Sequence, residues 1–169
     1  MGDSATARTI ELEDGTLGAV RGEHSGGRWS WRFSAGDVDF EDDGLADLPA
    51  DVPEETVRER VAELAAITRR IAEAEPPLRR FAAERLLDAA YDWTHDAAAE
   101  GACGPEEVVN EPADIERRIT LTSMSWNAVE GEGRLWYGDD MIFLNHIINV
   151  DFAFAADGTL VPKDANFQG

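Results

Sequence analysis

The chain has 169 residues, 43% of them hydrophobic, with 35 acidic against 15 basic residues and a formal charge of -20. That length suits one domain, and that hydrophobic share can fill a core, which excludes a disordered chain. So large an acidic excess disfavours nucleic acid and anionic membrane as direct partners, because phosphate binding needs clustered cations.

No apolar stretch approaches 18 residues, so no membrane span is expected. The start, Met1-Gly2-Asp3-Ser4-Ala5, lacks the basic and apolar regions of a signal peptide. A lone Cys103 cannot form an internal disulfide or a cysteine-based zinc site, which fits a reducing compartment. The expected location is the cytoplasm. Lys163 is the sole lysine. With the acidic excess, this fits a solvated acidic surface, a cytoplasm rich in salt, or an acidic face that docks on a basic protein partner.

Residues 1–8 read as a tail. Thr9-Ile10-Glu11-Leu12-Glu13 alternates apolar with polar before the turn signal Asp14-Gly15, and Leu17 to Val20 continues as a short strand. His24 to Gly27 reads as a loop. Trp29, Trp31 and Phe33 then fall on one face of a strand, Ala35-Gly36-Asp37 turns, and Val38-Asp39-Phe40 begins another strand. Residues 9–40 are thus predicted to form a β-meander, followed by an acidic linker from Glu41 to Val52.

The period then changes. Pro53, Glu54 and Glu55 suit the first turn of a helix, and Val57, Val61, Leu64, Ile67 (or Thr68) and Ile71 recur at spacings of three and four. Pro76-Pro77 is expected to stop that helix. A second helix is predicted from Leu78 to about His95, with Leu78, Phe81, Ala82, Leu86, Ala89, Ala90 and Trp93 on its inner face. Gly101 to Pro105 breaks it, and a short helix is expected from Pro112 to Arg118. These make up a helical region over 53–118.

Residues 119–169 read as an antiparallel sheet. Ile119 to Trp126 shows a phase slip of the kind a β-bulge produces. Acidic glycine turns separate it from Arg134-Leu135-Trp136-Tyr137, and that segment from the longest apolar run, Met141 to Val150. The run is predicted to be the central strand. Ile142, Leu144, His146, Ile148 and Val150 lie on its core face, under the helices. A final segment, Leu160 to Phe167, closes the sheet.

Several stretches together resemble a known bacterial family. These are Ser123-Met124-Ser125, Gly133-Arg134-Leu135-Trp136-Tyr137-Gly138-Asp139-Asp140, Phe143-Leu144-Asn145-His146-Ile147-Ile148 and the ending Asp164-Ala165-Asn166-Phe167-Gln168-Gly169. In order and ending they resemble the "domain of unknown function 2262" family over about residues 15 to 169. Leu144 and Asn145 stand where that pattern has an aromatic residue and a glycine. The resemblance implies a fold and carries no established activity. Small acidic α+β domains also occur among immunity proteins, an analogy of class only.

Among candidate functional residues, His146 comes first, because imidazole can serve as general acid or base near neutral pH. Asp139 and Asp140 lie upstream but about 20 Å away along an extended strand, so a carboxylate partner must come from another element. A buried, hydrogen-bonded structural histidine is the competing reading. Trp136, Tyr137, Asp139, Asp140 and Asn145 are candidate binding residues. Trp136 and Tyr137 point to opposite faces, so one of them should face outward. His24, His95 and His146 show no metal-ligand spacing, and no phosphate-binding or nucleophile motif occurs, so no metal or cofactor is expected.

The predicted fold is α+β, a single domain over 9–169 with an N-terminal β-meander, a central helical pair and a C-terminal antiparallel sheet packed by the helices. Three functional readings follow. The first is a non-catalytic, immunity-like protein that binds a basic partner. The second is a small enzyme using His146, and the third a salt-adapted domain without a specific partner.

Overall fold

A computed structural model describes residues 8–34, 39–127 and 130–168, with the backbone alone for 39–44. Of the predicted tail over residues 1–8, Arg8 is instead the first residue of a strand and the rest lies outside these residues, as do the turn at Ala35-Gly36-Asp37 and the start of a strand at Val38. The protein is α+β. Its elements are β1 (Arg8–Asp14), β2 (Gly18–Ser25), β3 (Arg28–Phe33), β4 (Asp39–Asp42), α1 (Asp43–Ala46), α2 (Glu54–Ala99), a 3-10 turn (Pro105–Glu107), α3 (Pro112–Arg118), β5 (Thr120–Asn127), β6 (Glu132–Gly138), β7 (Ile147–Phe154) and β8 (Leu160–Gln168). One sheet has the order β1-β2-β3 and the other β4-β5-β6-β7-β8. The segment predicted as a linker, Glu41 to Val52, therefore contains the end of β4 and all of α1.

The chain divides into two compact units, residues 1–73 with 124–131, and residues 74–123 with 132–169. In the first, β1, β2 and β3 pair as antiparallel neighbours. The predicted loop at His24-Ser25 is the end of β2. Only Gly26 and Gly27 make the hairpin turn, at φ 59° and 86°, a backbone that glycine adopts without steric cost. Ile10, Leu12, Val20 and Trp29 pack with Val57, Val61, Leu64 and Ala65 in one core, so the predicted stripe of α2 is the face that is buried. Trp31 lies against that core and donates its indole N–H to the carbonyl of Leu45 at 3.0 Å. Its ring fits only because its cross-strand partner is Gly22, where a Cβ would stand 2.4 Å from the indole.

The predicted pair of helices is one helix of 46 residues with Pro76 and Pro77 inside it. Each proline removes a backbone N–H and costs about 3 kcal/mol in a helix interior. Ile71 and Leu78, seven residues apart and hence on one face, are both buried. Each contributes roughly 1.5–3 kcal/mol of burial. Ala82, Ala83, Leu86 and Ala90 extend that buried face and help offset the two lost bonds. Trp93 departs from the prediction: it is 36% exposed.

In the second unit β6, β7 and β8 pair antiparallel. Leu135, Tyr137, Ile148, Val150 and Phe152 are fully buried. Between β7 and β8 the register shifts, with Asp151 opposite Asp164 and Phe152 opposite Pro162, so Lys163 is a bulged extra residue. Along β5 the buried parity begins at Met124 and Trp126, and the division between the units falls there, between Ser123 and Met124.

Candidate functional site

The predicted central strand over Met141–Val150 needs correction. The strand begins only at Ile147, and residues 139–146 form a compact reversal ahead of it. Four residues other than glycine have positive φ there: Asp140 (44°), Met141 (65°), Leu144 (59°) and Asn145 (65°). The left-handed region costs such residues on the order of 1 kcal/mol or more each, so something must hold them. Asp139 does. Its carboxylate, 2% exposed, accepts the N–H of Met141 at 3.2 Å and of Phe143 at 2.6 Å. The carbonyls of Asp139 and Phe143 accept the N–H groups of Ile142 and His146. Asn145 stands where the resembled pattern has glycine, and asparagine enters the left-handed region more readily than most residues. Alternation of apolar residues cannot reveal such a turn. Gly138-Asp139-Asp140 and Asn145 were its only local signals.

The reversal buries Ile142 and Phe143 and leaves Met141 (52%) and Leu144 (64%) exposed. With Trp93, Ile142 and the ends of α2 and α3, these side chains line a cleft of about 500 Å³ within the second unit. Cys103, half-buried, borders it and directs its thiol at the carbonyl of Thr94, 3.5 Å away. Arg118 closes one side. It donates to the carbonyls of Glu107 (2.6 Å) and Asp140 (2.7 Å) and to the Asp140 carboxylate (3.3 Å).

Next to the cleft is an aromatic cluster. Phe143 and Phe167 stack at 4.2 Å, and Trp93 meets Phe143, His146 and Phe167 edge-on at 5.5–5.6 Å. His146 is therefore neither on a core strand face nor fully open to water. It is half-buried just before β7, packed against Trp93 and Phe167. Both oxygens of Asp139, the buried carboxylate of this turn, are taken by backbone amides.

The other predicted binding residues separate. Tyr137 is fully buried, and Arg79 lies over its ring at 5.9 Å. Burial, then the negative charge of Glu75, push its hydroxyl pKa up, against the opposing charge of Arg79. Trp136, on the opposite face, is half-buried. Asp140 is an exposed partner of Arg118, and Asn145 is exposed. The structure thus gathers Asp139, Asp140, Asn145 and His146 into one turn and leaves Trp136 and Tyr137 in β6. Trp93 and Leu144, exposed around the cleft, were read from sequence as core residues, and Met141, exposed beside them, as the other face of a strand. Among the described residues no three side chains of metal-ligating type converge, and no helix is long and apolar enough to cross a membrane.

An antiparallel α+β scaffold that presents an apolar cleft beside a strained turn defines the class of protein. The chain belongs to the bacterial family described as "Uncharacterized protein conserved in bacteria (DUF2262)", whose match covers residues 35–159. No curated protein matches it. No solved structure matches it either.

Proposed function

We propose that the protein is a non-catalytic, cytoplasmic protein-binding module, immunity-like in that it acts by occupying a partner. The observation that carries this reading is the exposure of Met141 and Leu144 beside Trp93, on a turn whose backbone is strained. Folding normally hides such side chains, and backbone strain concentrates where a site must be held in one shape. A photo-crosslinking amino acid in place of Leu144, expressed in the host bacterium, tests it. One discrete adduct is expected from this position and none from Glu59, exposed on the first half of α2. Only the diffuse background seen at Glu59 would sink the reading.

The second reading, His146 as general acid or base in a small enzyme, is favoured by its half-buried ring beside a cleft lined by Trp93. Turnover lost in His146→Gln with an unchanged Tm would support it. A large drop in Tm would instead assign the ring to packing with Trp93 and Phe167.

A further inference from the structure

We infer that the cleft receives a basic amphipathic segment of the partner. On this inference, which rests on the protein-binding reading above, an apolar side chain of the segment lies among Trp93, Met141 and Leu144, and its arginine or lysine side chains face Asp96, Glu100 and Glu107.

Asp96, Ala97 and Glu100 stand three, four and seven residues after Trp93, and the first two share its face on the last turns of α2. Glu100 follows directly after the helix with its N–H bonded to the Asp96 carbonyl at 3.0 Å, and all four line the cleft. This is the end of the helix at which its dipole is negative and a cation is stabilising. The last turn of α2 contains no basic residue. Asp96 and Glu100, four residues apart and of like charge, repel each other. Neither takes part in any ion pair among the described residues. Glu107 adds a third carboxylate to the lining, and its side chain accepts the N–H of Gly104 at 2.8 Å.

Arg118 is the one cation in the lining, and its guanidinium is fastened to the Glu107 and Asp140 carbonyls and the Asp140 carboxylate. The rim therefore combines a helix end of negative potential, unneutralised carboxylates and an exposed indole. An indole face attracts ammonium and guanidinium groups, and its apolar body accepts the stem of a lysine or arginine. The apolar floor selects for a hydrophobic anchor and the rim for flanking cations. A segment with basic and apolar faces supplies both, in the helix-in-groove mode of recognition. In a chain of charge -20 the same field also draws such a segment in from solution.

Two synthetic peptides of about fourteen residues test this, long enough to sample a helix. Both carry leucine at spacings of three and four, with arginine in one and glutamate in the other at the remaining positions. Each is titrated into the full chain at about 0.15 M salt, where distant charges are screened. Binding is read from the NMR signals of the Trp93 indole and the Met141 and Leu144 methyl groups. The arginine peptide is expected to shift these signals and to bind at least tenfold more tightly than its twin. Asp96→Lys with Glu100→Lys should weaken the arginine peptide roughly tenfold and strengthen the glutamate peptide. Lysines at a helix C-terminus favour the helix, so Tm should not fall and misfolding cannot account for the loss.

Equal affinity of both peptides at the same signals would overturn the basic-partner inference and leave the protein-binding reading standing. A footprint of the arginine peptide away from Trp93, or one unchanged in the double variant, would overturn it too. A discrete adduct at position 144 whose captured segment carries no cations does the same.

Discussion

Replacing Asp139 by alanine removes the clamp on the reversal before β7. Its carboxylate accepts two backbone N–H groups, and that of Phe143 sits on a residue with no solvent exposure. A hydrogen bond to a charged acceptor contributes roughly 1.5–3 kcal/mol net, and a buried donor left unpaired costs about the same. Met141 is half open to water, which can satisfy its freed N–H, so the Phe143 bond should dominate. Asp139→Ala is therefore expected to cost about 3–4 kcal/mol. At about 2–4 °C per kcal/mol for a chain of this length, Tm should fall by roughly 6–16 °C. Asp139→Asn keeps one acceptor oxygen and should lose about half as much. Calorimetry gives the midpoint, and hydrogen exchange at the Phe143 amide locates the effect. If Asp139→Ala melts within a degree of the wild type, with that amide still protected, Asp139 does not hold the turn.

Three further outcomes can be checked. The Tyr137 hydroxyl has a folded pKa raised above its unfolded value of 10.0 by burial and by Glu75, so the unfolded chain loses this proton first. Its contribution is whole below about pH 10 and is lost as pH rises beyond it. Tyr137→Phe should therefore flatten the fall in stability between about pH 10 and 12 in alkaline urea melts, and an unaltered slope refutes the assignment. Gly22→Ala places a methyl group 2.4 Å from the Trp31 ring. It should cost at least 1–3 kcal/mol and alter Trp31 fluorescence, and a neutral result would mean that the indole can move aside. Asn145→Gly relieves a residue at φ 65° and should keep stability within about 0.5 kcal/mol of wild type or raise it. A loss above 1 kcal/mol would show that the asparagine side chain contributes more than its backbone costs.

Hydrophobic period made much of the fold legible. Val57, Val61, Leu64 and Ile71 recur at helical spacing and are buried, and α3 spans the predicted Pro112–Arg118. Trp29, Trp31 and Phe33 share a strand face directed at the core. Period reading failed where the backbone leaves both regular forms. From Met141 to His146 the apolar residues look like a strand, yet Met141 and Leu144 adopt left-handed φ, which neither residue type announces. The carboxylate that enforces it acts on the Met141 and Phe143 amides, a local constraint that alternation does not encode. At Pro76-Pro77 the local rule for ending a helix was outweighed by burial on either side, at Ile71 and Leu78. The candidate site was half visible for the same reason. Asp139, Asp140, Asn145 and His146 were marked by residue type, whereas Met141 and Leu144 are exposed on the turn and Trp93 is exposed on α2 beside it, which alternation did not show.

The bulge in β8 has an effect beyond its own register. β8 is the last strand of its sheet, and an outermost strand offers a row of unpaired groups on which another chain can build. Here Pro162 has no amide hydrogen to offer, and the extra residue Lys163, whose ammonium pairs with Glu132 on β6, throws the strand out of step. A neighbouring copy could match only a few residues before losing alignment. Crowded molecules of this protein should collide along that margin and separate again, without growing into stacked fibrils.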